Sequence, residues 1–321
     1  MCLWYFFVPL CETLFRIVNW AMPSVSVVIT TYNRAALLPS AIESAKNAAS
    51  DPEVIVVDDC STDDTREVCE KIDGIRYVRL TTNSGLPHAR NIGIAESSSE
   101  FIAFLDDDDL RLPGSLDKQL RAISVDDSLA LCYGQALIGD ARRQLPTGEI
   151  YPLHCPDGDI FWNLLEDNFI PMPSVLLRKS SLLEAGGFNT DLDLIADWDM
   201  WLRLAEHSRV AAISEPVAIY RKASAGSDQM CSNSPALLKQ ALKVQQSALH
   251  RPRARAATAK QRRNVQRKFR NRVYDILITE ATNSIHEGNA RSARANVFDA
   301  LRYRPFRTVA TGRLLWLLMG R

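Results

Sequence analysis

The chain has 321 residues, of which 46% are hydrophobic and 24% charged, and its 38 basic residues balance 38 acidic ones. This is an ordinary globular composition, long enough for one large or two modest domains. Seven cysteines are scattered without a CxxC pair, which argues against a disulfide framework or a zinc site and favours a reduced, cytosolic chain.

The first 21 residues are apolar and aromatic, but Glu12 and Arg16 interrupt them too early for a membrane span. They also lack the positive segment and the small-residue cleavage site of a secretion signal. Met22 stands directly before a strand-like run, so we predict that the native chain starts there. A second interpretation is an amphipathic segment that contacts a membrane. No segment elsewhere reaches spanning length.

Strands and helices alternate through the next hundred residues. Short runs rich in β-branched residues predict strands at 25–29, 54–57, 75–80 and 101–105. Helices are predicted between them at 34–48, 63–72, 87–95 and 116–123, with Ser61 or Thr62 capping the second. This order predicts an α/β fold, with a Rossmann-like, mostly parallel sheet and helices on both faces.

Beyond Leu131 the pattern becomes irregular, with a helix predicted at 197–206 and a strand at 217–220. From about residue 232 the chain has a helical pattern, at 237–250, 264–284 and 288–303, followed by an apolar segment at 306–319. We therefore divide the chain into an N-terminal segment (1–22), an α/β domain (23–230) and a helical, basic C-terminal region (231–321).

Ten lysines or arginines and no acidic residue occur between Arg251 and Arg272. One interpretation is a surface that lies on anionic lipid, where each basic residue contributes about 1 kcal/mol. The other is a solvated basic helix whose apolar face packs on the α/β domain. Nucleic acid is not an expected partner, because no binding motif or interleaved aromatic residues accompany the charges.

Four consecutive aspartates, Asp106 to Asp109, follow the predicted strand at 101–105. Adjacent negative charges repel one another, so this cluster needs a cation or a donor network. Oxygen ligands at a strand end suit Mg²⁺ or Mn²⁺, which usually take one or two carboxylates plus substrate phosphates. The alternative is a solvated acidic turn or helix start.

Two further polar segments follow predicted strands. Asp58 and Asp59 end the second strand, where a carboxylate can accept hydrogen bonds from a base or a ribose. Helix capping alone would explain residues 61–64 but not Asp58. The segment 83–93 combines glycines, which permit close backbone approach, with Arg90, which can face a phosphate. No P-loop is present.

Asp197 stands at the start of the predicted helix at 197–206, ahead of Trp198 and Trp201. A carboxylate there that faces a sugar pocket with stacking tryptophans can act as a general base. The alternatives are a helix cap for Asp197 and a packed core stripe for the tryptophans.

Together these motifs resemble glycosyltransferase family 2. The five segments that carry the resemblance are SVSVVITTYNR (24–34), VVDDCSTD (56–63), NSGLPHARN (83–91), FLDDDD (104–109) and ADWDMWLR (196–203). VLLR (175–178), AGGFN (185–189) and IYR (219–221) also match in order, so the resemblance covers roughly 23–226. Several motifs in the right order are far more specific than any one of them.

The resemblance implies a GT-A fold, a nucleotide-sugar donor such as a UDP-sugar, and inverting transfer assisted by Mn²⁺ or Mg²⁺. Tyr32 would stack on the base, Asp58 would bind the uracil edge and Asp108 of the Asp-x-Asp motif would hold the metal on the diphosphate. Asp197 would be the general base, with Trp198 and Trp201 on the acceptor side. The nucleotide-sugar-binding residues implied are Thr30, Tyr32, Arg34, Asp58, Asp59, Asn83, Gly85, Arg90, Asp106 and Asp107.

The chain departs from the family pattern at two positions. Ala196 stands where the family usually has Glu, and Lys222 to Ser224 follow Tyr220 and Arg221 where a His is frequent. The expected acceptor is a glycan or lipid-linked glycan in cell-envelope polysaccharide synthesis, in the cytoplasm or at the inner face of the membrane. Two alternatives stay open, a catalytically silent nucleotide- or glycan-binding relative and another nucleotide-dependent transferase on the same fold.

Overall fold

The structure is a computed structural model that describes residues 24–140, 146–221 and 234–304. The predictions for 1–22 and 306–319 lie outside these residues. The strands are β1 (Val25–Thr31), β2 (Glu53–Asp58), β3 (Arg76–Arg79), β4 (Phe101–Asp106), β5 (Leu110–Arg111), β6 (Leu129–Gly139), β7 (Pro146–Tyr151), β8 (Val175–Arg178) and β9 (Arg209–Arg221). The helices are α1 (Leu38–Lys46), α2 (Thr65–Glu70), α3 (Leu86–Glu96), α4 (Ser115–Ile123), α5 (Phe161–Glu166), α6 (Lys179–Glu184), α7 (Ala196–His207), α8 (Ser234–Leu249), α9 (Pro252–Ala256), α10 (Ala259–His286) and α11 (Ala290–Tyr303).

The described strands form one sheet in the order β3-β2-β1-β4-β8-β6-β9-β5, and β7 pairs with β6 outside this order. β3, β2, β1 and β4 run parallel, while β8 is antiparallel to both of its neighbours. In the parallel part Thr31 pairs with Asp58 and Thr30 with Asp106. The carboxyl ends of β1, β2 and β4 therefore meet at one edge, where ligands bind in open α/β sheets.

Helices cover both faces of the sheet. β1 is buried along its whole length, because its alternate side chains enter two cores. One core contains Val27 and Ile29 and is covered by α1 and α4. The other contains Val28 and is covered by α3, α5 and α7. The predicted α/β fold, a mostly parallel sheet with helices on both faces plus a helical C-terminal region, is confirmed.

The helix boundaries differ from the prediction where side chains are used elsewhere. The helix expected from residue 34 begins at Leu38, because the backbone at Arg34 forms a turn that accepts the N–H groups of Leu37 and Leu38. Capping by Ser61 or Thr62 is wrong. α2 begins at Thr65, whose N–H donates to the Asp63 carboxylate.

The C-terminal helices pack on the α/β domain. α10 buries Val265, Phe269, Val273 and Leu277 in the same core as α7. Arg251, within the basic run, pairs with Glu206 of α7 at 3.1 Å, so part of that run binds the protein itself. None of the helices in the described ranges combines the length and hydropathy needed to cross a bilayer.

Candidate functional site

The loops that follow β1 and β2 are tied to each other. The Asn33 N–H donates to Ser61 Oγ at 2.9 Å, and the Thr62 N–H donates to Asn33 Oδ1 at 2.7 Å. Asn33 (φ 54°) and Cys60 (φ 69°) both adopt left-handed backbone conformations, which are uncommon for residues other than glycine and cluster at functional sites. Tyr32, in the loop after β1, is 44% exposed, so the aromatic ring is available to a ligand at the sheet edge.

Asp58 is fully buried at the end of β2. Its carboxylate accepts hydrogen bonds from the Ser61 N–H at 2.8 Å and from the Tyr77 hydroxyl at 2.6 Å. Burial and the adjacent Asp58 raise the pKa of Tyr77. Asp58 therefore fixes the loop that carries Cys60 and Ser61. Its carboxyl group is hydrogen-bonded within the protein and is not exposed to a nucleobase.

Asp59 holds the glycine turn ahead of α3. Its two carboxylate oxygens accept the N–H groups of Ser84 and Gly85 at 2.7 and 2.8 Å. Gly85 has φ +88°, where any side chain would be strained. Asn83 is exposed beside this turn. The turn sets the start of α3 and with it the position of Arg90. In this geometry Asp59 holds the loop in place, and its carboxylate oxygens are occupied by backbone N–H groups.

The first aspartate of the cluster, Asp106, lies at the carboxyl end of β4. Asp106 accepts a hydrogen bond from Arg90 Nη2 at 2.7 Å and a longer one from Thr30 Oγ1 at 3.4 Å. Arg90 also lies over the Phe188 ring, 5.6 Å from its centroid. Asn91 fixes that ring, because its side-chain amide bonds both the N–H and the C=O of Phe188.

The other aspartates of the cluster are buried and bound by arginines. Arg34 Nη1 lies 2.9 Å from Asp107 and 3.1 Å from Asp108, and Arg221 Nη2 lies 2.5 Å from Asp108. The Arg221 N–H also donates to Asp109 at 2.7 Å. Burial raises the pKa of Asp107 to about 7; the positive charge of Arg34 opposes this shift, and the negative charge of Asp108 adds to it. Burial, and then the charges of Asp108 and Asp106, raise the pKa of Asp109 well above its usual range, while Arg221 opposes the shift.

The donor set at this edge fits a cation that the substrate helps to hold. No three His, Cys, Asp or Glu side chains enclose a metal position within the described ranges, and Asp108 is already in contact with Arg34 and Arg221. The carboxylates are nevertheless hard oxygen donors, and Mg²⁺ usually combines one or two such groups with substrate phosphates. The residues therefore suit a site completed by a diphosphate and not a closed protein cage.

Asp197 lies at the start of α7. Its carboxylate accepts the Trp198 N–H at 2.7 Å and the Asn168 side-chain amide at 3.4 Å. Burial raises the pKa of Asp197, the charge of Arg90 opposes this, and that of Asp106 adds to it. The candidate base is thus within electrostatic reach of the Arg90–Asp106 pair. Asn168 lies in the irregular half of the chain, where no motif identified it.

The structure corrects the acceptor-side prediction for Trp198 and Trp201, because their side chains are 2% and 1% exposed. The Trp198 indole donates to Leu164 O at 2.8 Å and its ring stacks on Phe269 at 5.7 Å. Both tryptophans belong to the hydrophobic core, which is the alternative that the sequence pattern left open for them. They stabilise the helix on which Asp197 stands.

A mostly parallel sheet with helices on both faces and acidic side chains at its carboxyl edge has the architecture of the GT-A fold. Residues 26–183 match the family model described as Glycosyl transferase family 2. Two bacterial relatives agree with that match. An uncharacterized glycosyltransferase of Haemophilus influenzae is 30% identical over 200 residues, covering 60% of this chain and 66% of that protein. The putative teichuronic acid biosynthesis glycosyltransferase TuaG of Bacillus subtilis is 31% identical over 212 residues, covering 63% and 80%.

The chain belongs to glycosyl transferase family 2 and is a glycosyltransferase. Its fold is similar to that of S. aureus TarS residues 1–349, solved in complex with UDP-GlcNAc. That likeness has a TM-score of 0.60 at 19% identity and covers 92% of this chain and 86% of the other. At this identity the structural likeness shows the fold alone.

Proposed function

We propose that the protein transfers a sugar from a UDP-sugar to a glycan or lipid-linked glycan, with inversion at the anomeric carbon. The observation that carries this proposal is the position of the Asp197 carboxylate at the start of α7, within electrostatic reach of the Arg90–Asp106 pair at the carboxyl end of β4. A base and a donor site must be neighbours for a sugar to pass from one substrate to the other. The TuaG relative, described as a putative teichuronic acid biosynthesis glycosyltransferase, supports a role in cell-envelope polysaccharide synthesis. As part of the proposal we place the reaction in the cytoplasm or at the inner face of the membrane.

At the donor end, the exposed Tyr32 ring stacks on the nucleobase and Arg90 approaches the diphosphate, while Arg34 contacts Asp107 and Asp108. Arginine suits this task because its planar guanidinium matches phosphate oxygens in pairs. Mn²⁺ or Mg²⁺, held by Asp108 and the diphosphate, would supply positive charge against the charge that develops on the leaving group.

At the acceptor end, Asp197 takes the proton of the attacking hydroxyl. Burial raises the pKa of its carboxyl, which makes the carboxylate a stronger base, and general-base assistance contributes roughly 10²–10⁴-fold. The Trp198 N–H and the Asn168 amide hold the carboxylate in place. Inversion follows if base and leaving group lie on opposite faces of the sugar, as in inverting glycosidases.

A catalytically silent nucleotide-binding relative is the second candidate. The contacts of Arg34 and Arg221 with Asp108 favour it, because they engage the carboxylate to which we assign the metal. Ala196 and the absence of a His directly after Arg221 point the same way. The third alternative, another nucleotide-dependent transferase, has no such support. We retain the division into 23–230 and 231–321 and the peripheral membrane contact as parts of the proposal.

Calorimetric titration of UDP and of GDP, each with and without Mn²⁺, tests the donor site in wild type, Asp108→Ala and Asp197→Asn. We expect Mn²⁺-dependent binding of UDP that Asp108→Ala abolishes and Asp197→Asn retains. Asp197→Asn should instead lose transfer, as measured by UDP release with a donor and acceptor panel. Tighter binding of GDP would overturn the donor assignment, and metal-independent or absent binding of both nucleotides would favour the silent relative.

A further inference from the structure

Phe188 lies in the AGGFN segment (185–189), to which neither the family resemblance nor the proposed function assigns a role. Phe188 is 2% exposed, and its ring contacts residues of both α3 and β4. The Phe104 ring of β4 meets the Phe188 ring edge to face, with their centroids 5.1 Å apart. The Arg90 guanidinium of α3 lies over the Phe188 ring, 5.6 Å from its centroid. The ring therefore stands beside the arginine that we assign to the diphosphate.

The backbone of Phe188 is held by Asn91, the residue that follows Arg90 in α3. The Asn91 side-chain amide donates to Phe188 O at 2.9 Å and accepts the Phe188 N–H at 2.7 Å. Gly187 has φ +72° and passes so close that a Cβ there would lie 2.7 Å from Asn91 Oδ1. These contacts set the position of the ring relative to α3 without involving the guanidinium of Arg90. The ring is thus a fixed surface against which that guanidinium packs.

Arg90 is 5% exposed, so the cost of burying its charge must be compensated. In the part of the chain that the structure describes, it forms one ion pair, with Asp106 at 2.7 Å, and its Nε has no hydrogen-bond partner. Asp197 acts on Arg90 electrostatically. The face of an aromatic ring attracts a cation within about 6 Å of its centroid, most strongly where water is excluded. Phe188 supplies this attraction without a net negative charge, so it does not compete with an anionic ligand for the N–H groups of the arginine.

The other two arginines of the site are held by carboxylates. Arg34 contacts Asp107 and Asp108, and Arg221 contacts Asp108. A carboxylate compensates a guanidinium well, but its charge also repels a diphosphate. An aromatic side chain compensates part of the charge without that repulsion. The packing of Arg90 on a ring therefore suits an arginine that has to receive an anionic ligand.

We propose that Phe188 is a positioning residue that holds the Arg90 guanidinium ready for the diphosphate of the donor. The inference rests on the proposed function, because it requires Arg90 to bind that diphosphate. The side chain of Asp106 is 27% exposed, and its carboxylate can accept further hydrogen bonds. With a weaker attraction to the ring, the guanidinium would turn towards this carboxylate and offer fewer N–H groups to the ligand. Phe188 thus acts on donor affinity through Arg90.

The test changes the electrostatics of the ring and leaves its shape nearly intact. Phenylalanine with one, two or three ring fluorines replaces Phe188 by site-specific incorporation, because fluorine withdraws electron density from the ring face that attracts the cation. Phe101 is the matched control, since it is also buried and Arg178 lies over its ring at 4.8 Å, at the opposite end of β4 from Asp106. Calorimetry with Mn²⁺ present measures the affinity for UDP and for GDP, which share the diphosphate.

We expect the affinity for at least one of the two nucleotides to fall stepwise with the number of fluorines at position 188. With three fluorines binding should be roughly tenfold weaker, the effect of a desolvated cation–π contact. The same series at Phe101 should leave the affinity unchanged. In an Arg90→Gln background the Phe188 series should have no effect, because the cation that the ring attracts is absent.

Phe188→Leu is the second variant, because it keeps an apolar side chain and removes the aromatic face. It should weaken nucleotide binding at least as much as three fluorines do, whereas a residue with a packing role alone would respond to leucine and not to fluorine. The inference is overturned if the affinity is unchanged or higher across the Phe188 series or in Phe188→Leu, if the Phe101 series falls equally, or if the decline persists in Arg90→Gln. Failure of wild type to bind either nucleotide would instead refute the proposed donor site on which the inference rests.

Discussion

Gly93 is the position where the packing of α3 on the sheet leaves no room for a side chain. A Cβ at Gly93 would lie 2.2 Å from Val28 Cγ1, 3.0 Å from Cγ2 and 3.1 Å from Cβ. Val28 is fully buried in β1, and a β-branched side chain has few alternative rotamers. Rotation about χ1 cannot relieve the contact with Val28 Cβ, so the backbone of α3 must move.

The expected sign for Gly93→Ala depends on two opposing terms. Replacing glycine by alanine inside a helix ordinarily stabilises by about 1 kcal/mol. Overpacking a core costs about 1–3 kcal/mol, and a contact of 2.2 Å falls at the severe end. We expect a net loss of about 1–2 kcal/mol in the free energy of unfolding. Arg90 stands about one turn earlier on α3, so its 2.7 Å contact with Asp106 should loosen and UDP should bind more weakly.

Urea denaturation and UDP calorimetry measure both effects. Ala95→Gly, at an exposed position near the end of the same helix, reports the helix-propensity term alone and should cost at most about 1 kcal/mol without changing UDP binding. In the double variant with Val28→Ala, the loss in the free energy of unfolding should be smaller than the sum of the two single losses, because removal of the Val28 methyl groups makes space for the new alanine side chain. A Gly93→Ala protein as stable as wild type, or additive losses in the double variant, would refute the reasoning.

Three further outcomes are expected. The kcat for transfer should rise with pH, because burial raises the pKa of Asp197 and only the ionised carboxylate accepts a proton. The midpoint of the rise should lie above 3.8, the ordinary pKa of an aspartate, and Arg90→Gln should move it higher. A pH profile that Asp197→Asn leaves unchanged would contradict the assignment of Asp197 as the base. Arg251→Ala should cost about 1–3 kcal/mol in thermal unfolding because it removes a partner of the buried Glu206, whereas the exposed Arg255→Ala should change stability by less than about 0.5 kcal/mol. Co-sedimentation of the protein with phosphatidylserine vesicles should fall at high salt and on charge reversal of α10. Equal binding to neutral vesicles would exclude an electrostatic membrane contact. The exposed basic residues of α10 to reverse are Lys260, Arg263, Arg267 and Arg270.

Local sequence patterns were sufficient to predict the parallel part of the sheet, β1 to β4, and the edge at which the candidate site residues lie. The apolar runs at β1, β2 and β4 are short, rich in β-branched residues and separated by helical segments, so their parallel order follows from connection rules. Asp58 and Asp106 end two of these strands, and the register then brings both beside β1.

Contacts between distant segments could not be predicted in the same way. Ser61 has the composition of a helix cap, but its hydroxyl accepts the N–H of Asn33, 28 residues away. Arg221 contacts Asp108 across 113 residues, and no local pattern announces that pairing. The spacing of Trp198 and Trp201 identified one helical face but not its partner, because Phe269 comes from the C-terminal region.

The arginines on Asp108 determine how its removal should be interpreted. Asp108→Ala deletes the proposed metal carboxylate, but it also releases Arg34 and Arg221 from their contacts at 3.1 and 2.5 Å. Guanidinium groups that no longer face that carboxylate are better donors to a diphosphate, because one competing negative charge has gone. Loss of the metal site and gain of positive charge therefore act in opposite directions. UDP should lose its Mn²⁺-dependent increment in affinity while its metal-free affinity stays constant or rises, whereas a silent relative that binds UDP without a metal would have no such increment to lose.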